Sequence, residues 1–295
     1  MEISEQGSLQ TLKVFYSKDM VSDAQAGRSP SDRKPQLVSE ALASEVWPIR
    51  LVAPEPAAVC DIYRVHDRGF VDDVLSLKQP NGFGSYSESV ARSLLYTCGA
   101  CYNSAVAALS DGISASLTSG FHHAGPSAGR GFCTFNGLMV AALRLLDEGL
   151  VERVAIIDCD YHYGDGTQAV IDAQNLSDRV FHLSLGQRLR WPKHAELYLD
   201  AMSALRDQLR DFDPGVILYQ AGADVHIDDP LGGLLTTEQM RVRDATLFMI
   251  ARDLGIPVTW NLAGGYQIES DGSIPRVVEL HMNTFEEALR VWRLL

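Results

Sequence analysis

Eight consecutive positions near the middle of the chain, Asp158 to Asp165 in the stretch VAIIDCDYHYGDGTQ, hold three carboxylates and one imidazole directly behind four apolar residues. Extended backbone turns successive side chains to opposite sides, so Asp158, Asp160 and His162 share one side, with Cys159 and Tyr161 on the other. At the end of a dry strand such groups repel one another and lose hydration. A divalent cation removes that difficulty. Two carboxylates and one imidazole suit zinc or another borderline metal and leave a position open for water. Asp224, which ends the later stretch QAGAD, supplies the second carboxylate from a separate strand. The expected ligands are therefore Asp160, His162 and Asp224. Gly164 and Asp165 also read as an ordinary helix-opening pair, but helix capping alone leaves Asp224 without a role.

Adjacent His122 and His123, in TSGFHHAGPSAGRGF, could be a solvated loop feature. Beside a metal they acquire a purpose, because hydrolysis needs a base for water and an acid for the leaving group. Asp158 and Asp165, not needed as ligands, could each hold the second nitrogen of one histidine and so fix its tautomer. Tyr266 follows two glycines that allow a tight turn. It either packs or donates its hydroxyl to a developing oxyanion.

The elements that must position these residues read as alternating strands and helices. Short apolar strands are expected at Ile113–Leu117, Val154–Ile157, Val180–Leu185, Val216–Gln220 and Val258–Leu262. Helices are expected near Gly137–Glu148, through Ala169 and Ile171, and at Ala195–Arg210, Thr237–Leu254 and Pro275–Arg293. Gly255 and Pro257 stop the fourth of these helices. Loops rich in Gly, Ser and Pro are expected at Asp23–Ser31 and Gln79–Ser87. The alternation implies an α/β fold, a mostly parallel central sheet with helices on both faces. Ligands of such folds bind beyond the carboxyl ends of the strands. The His pair, the Asp158 cluster, Asp224 and Tyr266 all follow strands at that rim.

Bulk properties narrow the function classes. At 295 residues the chain suits one α/β domain, and a net charge of -13 disfavours nucleic acid. No apolar run reaches the roughly 18 residues a membrane span requires. The polar start MEISEQGSLQ is not a secretory signal, so a cytoplasmic location is expected. Five cysteines, an odd number, argue against a disulfide framework. Cys98 and Cys101 have CxxC spacing, but in LLYTCGACYNSAVAAL they read as small thiols one turn apart on a packed helix.

Four stretches occurring in order, GFHHAGPSAGRGFCTFNG, DCDYHYGDGTQ, QAGADVHIDDPLGG and LAGGYQ, resemble the histone deacetylase family of the arginase/deacetylase fold. The similarity runs from about Tyr63 to Gly272. It implies a single histone-deacetylase-like domain holding one zinc ion on Asp160, His162 and Asp224. It implies His123 as general base and then general acid, His122 as its electrostatic partner, and Asp158 and Asp165 as the orienting acids. Tyr266 matches the transition-state tyrosine, and Gly131 and Phe132 match residues lining the acyl-lysine channel. The family also binds a monovalent cation, K+, near the zinc through carbonyls around Asp158, Asp160 and His162, with help near Ser184.

Departures cluster at the channel mouth. SPSDRKPQLV stands where the family has His-Pro-Glu, and Tyr163 stands where a second histidine is common. The loop GQRLRWPKHAE replaces a phenylalanine-rich one; Trp191 is expected to serve as an aromatic wall there, beside Arg188 and Arg190. The implied activity is zinc-dependent removal of an acyl group, acetyl above all, from a lysine peptide or protein or from a related amine. An acylpolyamine amidohydrolase is the alternative enzyme; the acidic surface suits a cationic substrate. A two-manganese ureohydrolase needs more carboxylates and has no use for the His pair. A non-catalytic acyl-lysine sensor has no use for a base and an oxyanion donor.

Overall fold

Short apolar segments rich in Val, Ile and Leu can be buried on both faces only if their backbone groups pair with neighbouring strands. The computed structural model, which describes residues 11–22, 33–187 and 189–295, shows that pairing. Strands β1 (Leu12–Phe15), β2 (Ile49–Val52), β3 (Ile113–Ser116), β4 (Val154–Asp158), β5 (Val180–Ser184), β6 (Val216–Gly222) and β7 (Val258–Ala263) form one seven-stranded sheet in the order β2-β1-β3-β7-β6-β4-β5. Every pairing is parallel. Five of these strands fall where the sequence places them; β1 and β2 are additional. The expected loop at Asp23–Ser31 and Arg188 lie outside the described residues.

Parallel strands need crossovers, and the helices provide them. They are α1 (Lys34–Ser44), α2 (Val59–Ile62), α3 (Arg68–Leu75), α4 (Glu88–Asp111), α5 (Gly137–Asp147), α6 (Asp165–Ala173), α7 (Ala195–Phe212), α8 (Thr237–Leu254) and α9 (Pro275–Val291). Strand alternation assigns them to two faces. Val154 and Ile156 of β4 pack with residues of α2 to α6, such as Ile62, Phe70 and Leu138. Ala155 and Ile157 pack on the opposite side with α1, α7, α8 and α9, through Val38, Met202, Leu247 and Val277. The sheet is thus covered on both faces, the α/β architecture of the arginase/deacetylase fold.

Local chemistry sets the helix ends. Thr236 Oγ1 accepts the Gln239 N–H while Gln239 Oε1 accepts the Thr236 N–H, a reciprocal cap that starts α8. Gly255, at φ 69°, ends it. Cys98 and Cys101 are buried within α4, and burial pushes the Cys101 thiol up to about 12. Both are packing residues, far from the thiolate form that metal binding or redox exchange uses.

A metal-type cluster at the ends of four adjacent strands

The four neighbouring strands β3, β7, β6 and β4 each deliver part of one cluster beyond their carboxyl ends. After β3 comes the His122–His123 loop, after β4 the Asp160–His162 turn, after β6 Asp224, and after β7 Tyr266. Close backbone approach makes this possible. A Cβ at Gly222 would lie 2.5 Å from the Asp160 Cα, and one at Gly264, where φ is +51°, would lie 2.3 Å from the Asp224 Cγ. Glycine at both positions lets three strand ends converge on Asp224.

Ligand-type atoms of Asp160, His162 and Asp224 all lie within 4.8 Å of one another. Both carboxylates are buried and the imidazole is partly so. His162 Nδ1 stands 3.1 Å from Asp160 Oδ1 and 3.0 Å from Asp224 Oδ2. The turn is tied internally: Asp160 Oδ1 accepts the His162 N–H at 2.9 Å, and Asp224 Oδ1 accepts the Tyr161 N–H at 3.0 Å. Burial and the charge of Asp160 push the Asp224 carboxyl above its ordinary range. Burial opposes ionisation of Asp160 as well, yet His122 and His162 hold it below its ordinary range. Charge on both carboxylates at once is therefore costly without a cation between them. Two oxygen donors and one nitrogen donor with an open side are the donor set of a hydrolytic divalent-cation site, so these residues fit such an ion.

Alternation carries only part of the way past β4. Cys159 does turn away, its Sγ packed 3.6 Å from the Met202 Sδ. The strand, however, stops at Asp158, and the following residues bend. Asp158 consequently faces His122 and not the two expected ligands: His122 Nδ1 lies 2.8 Å from Asp158 Oδ2, while Asp158 Oδ1 accepts the Asp160 N–H at 3.1 Å. Tyr161 is half-buried and donates its hydroxyl to the Arg190 carbonyl at 2.8 Å.

The two histidines differ in protonation preference although their rings are 4.0 Å apart. Burial disfavours charge on His122, but the carboxylates of Asp158 and Asp160 overcome it and hold the ring up at about 9. His123 Nδ1 lies 2.6 Å from Asp165 Oδ1, yet burial and the neighbouring His122 push this ring down to about 3. One imidazole is biased towards the cation and the other towards the neutral base. Asp165 also begins α6, and Gly164 donates its N–H to Ser184 Oγ at 3.0 Å. Helix opening and histidine contact thus coexist at this position.

Gly131, at φ +56°, lies flat on His123: a Cβ there would come within 2.7 Å of the His123 Cδ2. The Phe132 ring stands 6.0 Å from that of Tyr266, and the Tyr266 ring stands 6.4 Å from that of His162 at 85°. Burial near Asp160 and Asp224 pushes the Tyr266 phenol well above its ordinary value, so its hydroxyl keeps its proton. Trp191 is 62% exposed and lies at the short turn before α7.

Lys34 is a member of this region that sequence patterning does not single out. Its fully buried amine donates to Ser119 Oγ at 2.9 Å and to the Gly264 carbonyl. Burial lowers its pKa to about 8, against the pull of Asp224 and Asp160. It belongs to the stretch SPSDRKPQLV, and only the tertiary fold shows that it lies beneath the glycine turn before Tyr266.

A family model described as the histone deacetylase domain matches residues 29–198 and 192–284. Histone deacetylase 2 of Arabidopsis thaliana is 27% identical over 267 residues, covering 78% of this chain and 66% of the relative. A probable deacetylase of Archaeoglobus fulgidus is 27% identical over 266 residues, 77% of this chain and 71% of the relative. Acetylpolyamine amidohydrolase 1 of Pseudomonas aeruginosa is 27% identical over 180 residues, 51% of this chain and 50% of the relative. The chain spans just under two thirds of several curated relatives, 65%, 66% and 63% of their lengths.

Proposed function

Because this chain belongs to the histone deacetylase family, we propose that it is a single-domain, zinc-dependent amidohydrolase that removes an acyl group, acetyl above all, from lysine or a related amine. The observation that carries this reading is the pair of unlike histidines set beside Asp160, His162 and Asp224, with Tyr266 across from them. Asp160, His162 and Asp224 would hold one zinc ion, which when bound would supply Lewis acidity at the scissile carbonyl and lower the pKa of water towards neutrality.

The side chains perform the rest. His123, held neutral with Nδ1 on Asp165, presents Nε2 as the base that takes a proton from the attacking water. The same proton passes to the nitrogen as the C–N bond breaks, and the second proton of the water follows it, giving a carboxylate and an ammonium. His122, biased towards the imidazolium by Asp158 and Asp160, supplies fixed positive charge beside the reacting centre. Tyr266 donates its hydroxyl to the oxygen that becomes negative in the tetrahedral adduct. Gly131 and Phe132 wall the acyl-chain passage opposite Tyr266, and the exposed Trp191 is assigned to its mouth. A potassium ion near Asp158, Asp160, His162 and Ser184 would stiffen the ligand turn.

A second substrate reading has specific support. The net charge of -13 favours cationic substrates, and one relative is named an acetylpolyamine amidohydrolase. The test is acid release from acetyl-lysine peptides and from acetylated polyamines, measured side by side on zinc-loaded protein. Faster release from peptides supports the lysine reading, and faster release from polyamines moves the assignment to the second. Tight acetyl-lysine binding with no acid released at full zinc occupancy would replace both with a sensor.

A further inference from the structure

The two His-Asp pairs differ in what else the carboxylate holds. Asp158 is buried and spends its remaining oxygen on the Asp160 N–H. Asp165 lies at the opening of α6, partly exposed, with Oδ1 on His123 Nδ1 and Oδ2 against the guanidinium of Arg130. The backbone around Arg130 has little freedom. Cys133 donates its N–H to the Arg130 carbonyl at 2.9 Å, and a Cβ at Gly129 would meet the Cys133 carbonyl oxygen at 2.8 Å. Gly131 packs against the His123 ring itself. The turn that touches His123 therefore also sends a cation to its carboxylate partner.

We propose that Arg130 is a positioning residue: its guanidinium fixes the Asp165 carboxylate, which in turn keeps the His123 ring in one tautomer and one orientation. A carboxylate that water reaches can rotate and trade its acceptor oxygen, and a charge-assisted contact on Oδ2 blocks that exchange. Stability is not the purpose, since Arg130 is 65% exposed and an exposed ion pair contributes little to folding. What His123 does in turnover rests on the proposed function, but how it is held does not.

Two measurements separate these questions. In protein with 15N-labelled histidine, the Nδ1–H of His123 is identified by its loss in His123→Gln, and its exchange with water is compared in wild type, Arg130→Ala, Arg130→Lys and Asp165→Asn. Arg130→Ala is expected to speed exchange by about tenfold or more, with the Nδ1–H of His122 unchanged, the thermal midpoint unchanged, and partial rescue by lysine. Unchanged exchange at His123 overturns the proposal. With acetyl-lysine peptide, Arg130→Ala is expected to lower kcat about tenfold with KM steady, and to have no effect on top of Asp165→Asn. Full kcat in Arg130→Ala, or an independent loss in the double variant, also overturns it. Absence of turnover in wild type would refute the functional reading, while the exchange measurement would still decide the role of Arg130.

Discussion

The Tyr266 backbone N–H donates to Oδ2 of Asp229 at 2.7 Å, and the other oxygen of that carboxylate accepts the Leu231 N–H at 3.0 Å. The segment following β6 thereby grips the segment following β7 at the residue whose ring faces His162. Burial raises the Asp229 pKa, and these two N–H donors act against that rise. Asp229→Ala leaves both donors without their acceptor, which costs roughly 1–3 kcal/mol per buried group and frees the Tyr266 turn. Turnover is expected to fall by about tenfold to a hundredfold at unchanged metal content. Asp229→Asn, which keeps one acceptor oxygen, should lose less. Equal activity in all three proteins would remove Asp229 from the positioning of Tyr266.

Tyr266 itself is tested by a smaller change. Tyr266→Phe deletes only the hydroxyl and leaves the ring contacts with Phe132 and His162 in place. Loss of one oxyanion donor typically lowers kcat by about 10²–10³. The expected signature is that loss with the bound metal and thermal midpoint retained. Turnover at the wild-type rate would leave Tyr266 a packing residue.

Metal binding predicts a linked change in stability. A ligand present at about 100 times its dissociation constant stabilises the folded state by about 2.7 kcal/mol. Zinc added to stripped protein should therefore raise the thermal midpoint by several degrees, and Asp224→Ala should abolish the rise. Acid release should vanish in chelator and return with zinc. Elemental analysis is expected to give one zinc per chain. Two manganese ions per chain would favour the ureohydrolase arrangement, and undiminished activity in chelator would end the metal-dependent reading.

The rim is legible in the sequence because strand ends in a parallel sheet are marked twice, by the end of an apolar run and by the polar residues that follow it. Val154–Ile157 and Val216–Gln220 are such runs, and they flank the Asp160–His162 and Asp224 segments. β1 and β2 carry a weaker mark. LKVF and IRLV have four residues each and interleave charge, as strands near a sheet edge do, and β2 keeps its two middle residues exposed. Lys34 and Arg130 were illegible for another reason. Each acquires its role from a partner distant in sequence, Gly264 for the first and Asp165 for the second, and residue type alone does not reveal such a contact. Asp158, like Asp165, was legible as the acid holding one histidine's second nitrogen, and its Oδ2 lies 2.8 Å from His122 Nδ1.

One histidine outside the reacting centre gives the protein a calculable pH dependence. His66 is buried between Phe70 and Phe135, with Nδ1 donating to the Gly125 carbonyl at 2.7 Å and Nε2 accepting the Asn136 N–H at 2.9 Å. This second contact requires a neutral ring. Burial lowers its pKa from 6.5 to about 4, against the weaker upward pull of the carbonyl contacts and Asp67. The unfolded chain therefore binds more protons between those two values, so stability rises with pH across that window. The contribution is fully present above pH 6.5 and is lost as the pH falls through about 4; the shift corresponds to roughly 3 kcal/mol. Glutamine at this position can donate and accept in the same two directions without titrating. His66→Gln should leave the unfolding free energy from urea titration at pH 7 within about 1 kcal/mol of wild type, and soften its decline towards pH 4. His182, which burial also lowers to about 4, keeps part of the slope in both proteins. Parallel urea profiles for wild type and His66→Gln from pH 7 to 4 would show that the His66 ring is not held neutral by this pair of contacts.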